Sequence, residues 1–204
     1  MSPADVETPL VLGPQLAGTL MTPEEFDAVK ECDDQWVYEL IHGVLVVSPP
    51  PMEAERGPNE MLGHWLIFYR EYHRQGKALD GTLPEQHVRT RDSRRRADRV
   101  IWAGLGRQPN PPRDTPTIVV EFVSVGKRSR RRDYLEKRKE YLAAGVLEYW
   151  VIDRFRRIMT VYRARKPEQV IQENEVYRPS LLPGFELPLA KLLTVADQWQ
   201  PKYP

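Results

Sequence analysis

Residues Thr117–Asp153 read TIVVEFVSVGKRSRRRDYLEKRKEYLAAGVLEYWVID. Two short β-rich apolar runs, IVVEF and EYWVID, enclose a basic turn and a helical segment from about Arg131 to Ala144, which Gly145 stops. Strand, turn, helix and strand in that order place two strands in one sheet with a helix on its face. The first strand carries a carboxylate, Glu121, directly after Ile118, Val119 and Val120. A buried, ionised carboxylate must find a cation, hydrogen-bond donors or a metal ion, or else point out near the strand end.

The rest of the chain agrees with a mixed sheet flanked by helices. MTPEEFDAVKE opens with Thr22 at an N-cap, Pro23 at the first helical position and Glu25 three residues after the cap. WVYELIHGVLVVSPPP reads as a hairpin turning at His42-Gly43 and ended by three prolines. Asn59–Gln75 places Met61, Leu62, Trp65, Leu66, Phe68, Tyr69 and Tyr72 at helical spacing, with Gly76 suited to the C-cap. GTLPEQHVRTRDSRRRADRVIWAG suggests two strands joined by an arginine-rich loop, Asp98 standing just before the apolar RVIWA. RFRR is a turn into the strand IMTVYRA, and LPGFELPLAKLLTVADQW ends in a last short helix. The expected class is α/β (α+β). The expected organisation is an N-terminal arm over residues 1–20, one domain over 21–193 and a tail over 194–204.

The 204 residues suffice for one sizeable core, and 41% hydrophobic with 29% charged residues is a globular composition. Thirty Lys and Arg offset 29 Asp and Glu, so net charge does not select a nucleic-acid partner. Distribution is more informative. Arg89–Arg99 holds six arginines and two aspartates, and Lys127–Lys139 holds eight basic residues against two acidic ones. Such runs are either solvated surface or phosphate contacts. Cys32 is the single cysteine, which excludes an intramolecular disulfide and a cysteine-based zinc site. No run approaches the roughly 20 apolar residues of a membrane span, and the N-terminus lacks a signal-peptide pattern. A soluble cytoplasmic protein is expected, with no membrane partner.

Asp98, at the head of a strand, and Glu39, inside VYELI, are two further hard oxygen donors. With Glu121 they form a set of three carboxylates on three strands that suits Mg²⁺ or Mn²⁺ better than zinc. Each also has a simpler reading: a salt-bridge partner for Glu121, a turn cap for Asp98, the polar side of a hairpin for Glu39. On a helical wheel of about 100° per residue, Tyr134, Leu135, Tyr141 and Leu142 share a broad face. Lys137 falls at its edge and Arg138 nearer its centre, so periodicity does not choose between them.

Taken together, YELIHGVLVVSPPP, ADRVIWAG, IVVEFVS, RRDYLEKRKEYLAAGVLEYWVID and LLPGFELPL resemble the Uma-type restriction endonuclease family of the PD-(D/E)XK nuclease superfamily, over about Met21–Leu193. The resemblance implies a restriction-endonuclease-like core and Mg²⁺-dependent phosphodiester hydrolysis, Mn²⁺ being an alternative ion. It sets Asp98 at the aspartate of the family's PD and Glu121 at the glutamate of its VVEVLS, the two metal ligands. Where the superfamily carries a lysine two residues after that glutamate, this chain has Val123. Lys137 of RRDYLEK is the natural replacement, and Glu39 matches an early acidic residue. Ala97 stands for the proline of PD, Val44 for the second acid of DGE and Ala54 near a common histidine. EFVSVGKRS replaces EVLSPST.

The resemblance implies a DNA endonuclease with catalytic Asp98, Glu121, Lys137 and Glu39. Arg94, Arg95, Arg96, Lys127, Arg128, Arg130 and Arg131 are its expected phosphate contacts. A homodimer would suit cutting of both strands. The rival is a catalytically inactive nucleic-acid-binding or scaffold protein that keeps the nuclease fold. A metal-dependent hydrolase of another substrate would explain the carboxylates but leave the arginines idle.

Overall fold

The structure, a computed structural model, describes residues 10–199, leaving out the side chain of Arg128. Its first elements are β1 (Val11–Leu12), α1 (Pro23–Ala28), β2 (Glu31–Cys32), β3 (Val37–Ile41), β4 (Val44–Ser48) and α2 (Glu53–Tyr72). Then come β5 (Leu79–Arg89), β6 (Arg94–Ala103), β7 (Ile118–Phe122), α3 (Lys127–Arg131), a π-helical turn (Arg132–Lys137) and α4 (Arg138–Ala143). The chain continues through β8 (Glu148–Asp153), β9 (Ile158–Tyr162), β10 (Gln169–Gln172), β11 (Val176–Tyr177), β12 (Leu187–Pro188) and α5 (Leu189–Gln198). Two compact units result, residues up to 50 with 91–95, and residues 51–90 with 96 onward.

In the first unit Thr22 caps α1 as its sequence predicts. The Glu25 amide donates to Thr22 Oγ1 at 3.1 Å and the Thr22 amide to Glu25 Oε2 at 2.7 Å, a reciprocal capping box. The β3–β4 hairpin turns on His42 and Gly43, whose φ angles of +48° and +78° give the twist that right-handed strands need. Leu12, Phe26, Tyr38, Leu40 and Leu45 form the unit's core. Leu12 belongs to the stretch expected as an arm, yet it is buried and its carbonyl accepts from the Tyr38 hydroxyl at 3.2 Å. Residues 1–9 of that arm lie outside the described residues.

The second unit is built on a mixed sheet in the order β10-β9-β8-β7-β6, with β5 beyond β6. β7 and β8 are parallel, whereas β6–β7, β8–β9 and β9–β10 are antiparallel. Ile118, Val120 and Phe122 face the core made with Leu62 and Leu66 of α2 and Leu189, Leu192 and Leu193 of α5. Val119 joins Tyr141, Val146, Tyr149, Val151 and Tyr162 on the opposite face, under α4. Helices on both faces explain why β7 and β8 are buried at every position rather than alternating. α5 runs through Gln198 with Ala196 buried, so position 194 falls inside a helix. Among the described residues no helix is long and apolar enough to cross a membrane.

Two elements differ from the sequence expectation. α2 begins at Glu53 rather than near Asn59 and carries Pro58 inside it. The expected arginine-rich loop is only residues 90–93, because Arg94, Arg95 and Arg96 are already in β6. The charges of Arg94 and Arg96 are met by carboxylates of other elements. Arg94 Nε and Nη2 donate to Asp27 at 2.9 and 2.8 Å, and Arg96 Nε donates to Glu85 at 2.9 Å.

Candidate active site

Glu121 has the opposite strand parity to Val120, so it points into the face covered by α4, where it is only 2% exposed. Two side chains of the overlying helix reach its Oε1. Lys137 Nζ donates at 2.7 Å and the Tyr141 hydroxyl at 3.0 Å. Lys137 Nζ also donates to the Arg96 carbonyl of β6 at 2.8 Å, so its buried ammonium ties helix to both strands. This geometry separates Lys137 from Arg138, whose guanidinium instead lies 4.0 Å over the ring of Tyr162. The helix is π-wound from Arg132 to Lys137. Its wider turn takes an extra residue and shifts the phase of everything after it, which a uniform wheel cannot register.

Asp98 stands one residue before the last aligned pair of the β6–β7 ladder, Arg99–Val120. There the ladder hands over to side chains: the Phe122 amide donates to Asp98 Oδ2 at 2.6 Å, and Asn59 Nδ2 of α2 donates to the Asp98 carbonyl at 2.7 Å. Asn59 is itself fixed by Arg99, which donates from Nε to Asn59 Oδ1 at 2.7 Å and from Nη2 to its carbonyl at 3.0 Å. A Cβ on Gly63 would lie 2.5 Å from Arg99 Nη2, so the guanidinium passes only because residue 63 has no side chain.

The two carboxylates are poised uneasily. Burial pushes the Asp98 carboxyl well above the usual range and neighbouring Glu121 adds to this, against the pull of Lys137 and the Phe122 amide. Burial also raises Glu121, opposed by Lys137 and reinforced by Asp133. The hydrogen bonds to these carboxylates fall on Asp98 Oδ2 and Glu121 Oε1. Two carboxylates in a partly desolvated place, each held back from ionising, fit a divalent cation that would neutralise both. No three described His, Cys, Asp or Glu residues converge as a ready metal cage. Two carboxylates still suit Mg²⁺, which commonly keeps several waters and takes further oxygens from a phosphate.

Of the residues marked in the sequence, the second unit brings together Asp98, Glu121 and Lys137. Glu39 belongs to the first unit, where it is 5% exposed on β3 and aligned with Val46. Arg94 and Arg95, at 7% and 1% exposure, are interior rather than the surface contacts expected of them. Arg96 is half-buried against Glu85. Lys127, Arg130 and Arg131 are exposed at the start of the helix that follows β7. The side chain of Arg128 lies outside the described residues. Sequence reasoning missed Asn59, Tyr141 and the wholly buried Asp133, whose carbonyl accepts from the Tyr149 hydroxyl at 2.9 Å. Tyr141 was visible as part of the apolar face, but nothing in the spacing of its neighbours marks the partner of its hydroxyl.

A family model described as "Putative restriction endonuclease", Uma2, matches residues 23–190. The chain belongs to the Uma2 family. Its fold is similar to the crystal structure of a protein from Anabaena variabilis described as a putative nuclease of the DUF820 group. The two superpose with a TM-score of 0.69 at 16% identity, over 86% of this chain and 99% of that one. At that identity the likeness establishes the restriction-endonuclease-like fold alone. Comparison with curated proteins gives no match. In this Uma2 chain Asp98 and Glu121 lie on adjacent antiparallel strands of the mixed sheet.

Proposed function

We propose that this Uma2 protein is a Mg²⁺-dependent DNA endonuclease in which Asp98 and Glu121 would hold the ion and Lys137 acts beside them. The observation that carries the reading is the buried contact of 2.7 Å between Lys137 Nζ and Glu121 Oε1, next to the strand that bears Asp98. When bound, such an ion supplies Lewis acidity and lowers the pKa of a coordinated water.

The chain's own groups prepare the place. The Phe122 amide fixes Asp98 through Oδ2, and Lys137 with Tyr141 fixes Glu121 through Oε1. Orientation of this kind by surrounding donors commonly governs metal affinity. The Lys137 ammonium adds a fixed positive charge where a phosphodiester gains negative charge during cleavage. Exposed Lys127, Arg130 and Arg131, just beyond the end of β7, supply sequence-independent attraction for phosphates. Mn²⁺ would satisfy the same oxygen donors.

Supercoiled plasmid incubated with purified protein and Mg²⁺, Mn²⁺ or EDTA tests the proposal. Metal-dependent nicking is expected, abolished in Asp98→Ala, Glu121→Ala and Lys137→Ala variants that still fold. One observation favours the rival of an inactive nucleic-acid-binding protein: no third metal-ligating side chain joins the two carboxylates among the described residues. Salt-sensitive DNA binding with no cleavage in either metal would decide for it.

A further inference from the structure

A second cleft lies on the sheet face that carries Glu121, on the far side of the overlying helix. Glu121, Val151 and Thr160 are aligned across β7, β8 and β9, so the row that starts at Glu121 reaches Thr160 two strands away, about 10 Å distant at the usual strand spacing. There Tyr134 and Arg138 of the helix face Ile158, Thr160 and Tyr162 of β9 across a space of about 500 Å³, with Gln172 of β10 also in its lining. That volume falls in the range of small-molecule sites. The helix separates the two places, since Lys137 turns to Glu121 while Arg138, the next residue, turns to Tyr162.

Cationic groups dominate the cleft, and they are held by ring contacts rather than neutralised by close ion pairs. The Arg138 guanidinium lies 4.0 Å over the Tyr162 ring, and the Arg156 guanidinium 5.8 Å from the centre of the Tyr134 ring. A guanidinium stacked on an aromatic ring, as that of Arg138 is, keeps its N–H groups at the edge available for an incoming anion, while Arg156 lies at the outer limit of ring contact and also hydrogen-bonds the Tyr134 side chain. Glu168 is the carboxylate of the lining, and it stands 3.8 Å from Arg138, a loose approach compared with a charge-assisted hydrogen bond. The other nearby carboxylate, Asp153, is occupied. It accepts from the Tyr134 hydroxyl at 3.2 Å and from the amides of Phe155 and Arg156 at 2.9 and 3.0 Å, which fixes the turn that presents Arg156.

We infer that this cleft binds the phosphate of a nucleotide between Arg138 and Arg156, with the Tyr134 and Tyr162 rings forming its walls. The phosphate belongs either to a free nucleotide or to the end of a nucleic-acid strand, the two sources sharing one chemistry. The site needs neither the carboxylate pair nor a metal ion.

Calorimetric titration in EDTA tests this with adenosine 5′-monophosphate, inorganic phosphate, and a single-stranded oligonucleotide with or without a 5′-phosphate. Binding of the monophosphate is expected, weakened at least tenfold in Arg138→Gln and in Arg156→Gln. Glu168→Gln should tighten it several-fold by removing the opposing charge, and that gain tests the site even if an arginine variant folds poorly. Tighter, arginine-dependent binding of the 5′-phosphorylated strand than of the monophosphate assigns the strand end. The reverse order assigns a free nucleotide. The inference is overturned if neither the monophosphate nor the phosphorylated strand binds, if only inorganic phosphate does, or if the arginine variants bind as wild type. Asp98→Ala should bind like wild type, so an absence of nuclease activity and a failure of this site are separate results.

Discussion

Replacing Lys137 by methionine keeps the length of the side chain and removes its charge. Both partners of the Lys137–Glu121 pair have side chains only 3% exposed, so the change breaks a buried pair. Exposed pairs contribute about 0.2–1 kcal/mol, whereas removing one member of a buried pair costs about 3–5 kcal/mol because the other charge is left uncompensated. Here the loss includes two donations, to Glu121 Oε1 and to the Arg96 carbonyl. In a chain of this size the change should lower Tm by roughly 6–20 °C.

The loss should also depend on pH. Burial already raises the Glu121 carboxyl, and without Lys137 its proton is held more tightly still in the folded state. The folded protein then binds more protons than the unfolded chain above the ordinary glutamate range, so stability falls as pH rises and part of it returns on acidification. Urea unfolding of Lys137→Met, Glu121→Gln and the double variant at pH 5 and pH 8 measures this. At pH 8 the double variant should be more stable than Lys137→Met, since glutamine can still accept from Tyr141 and leaves no charge behind. A loss below about 1 kcal/mol at pH 8, or a double variant whose loss equals the sum of the singles, would refute the reasoning.

Four further outcomes follow. Because the folded state raises the Asp98 carboxyl, ionisation of Asp98 costs stability as pH rises above the ordinary aspartate range; Asp98→Asn in EDTA should therefore melt higher than wild type at pH 8, with the curves converging near pH 4. Millimolar Mg²⁺ should raise the Tm of wild type and not of that variant. Gly63→Ala puts a methyl group against the buried Arg99 guanidinium, and a loss of about 1–3 kcal/mol is expected, with plasmid nicking reduced as Asn59 and the Asp98 backbone shift. Arg107 holds the Asp114 carboxyl down at about 2 by hydrogen bonding, so its contribution is complete above the ordinary aspartate range and disappears as pH falls through about 2. Acid unfolding of Asp114→Asn should consequently differ from wild type at neutral pH and converge with it at the acid limit.

Local signals were enough for much of the architecture. Thr22, Pro23 and Glu25 specify a helix start through contacts three residues apart, and His42-Gly43 specifies a turn through backbone angles that glycine favours. The unbroken apolar strands around the 131–144 helix require cover on both faces, which is the α/β arrangement found. The presence of Glu121 in such a strand announces by elementary electrostatics that it needs a partner. None of these readings requires knowledge of distant residues.

Tertiary structure decided the partners. Arg94 and Arg96 look like solvated surface in sequence, but Asp27 and Glu85, which lie 67 and 11 positions away, take them into strand β6. Lys137 rather than Arg138 meets Glu121 because a π-helical turn changes the phase of the helix just before it, a difference of one residue in winding that composition does not encode. Asn59 and Tyr141 became parts of the site only when α2 and α4 packed on opposite faces of one sheet. The amino-acid sequence alone determined the elements and the chemical character of the carboxylates, because those depend on short-range backbone preferences and on the cost of burying charge. Which cation compensates which carboxylate, and which of its oxygens accepts, depended on packing between elements far apart in the chain.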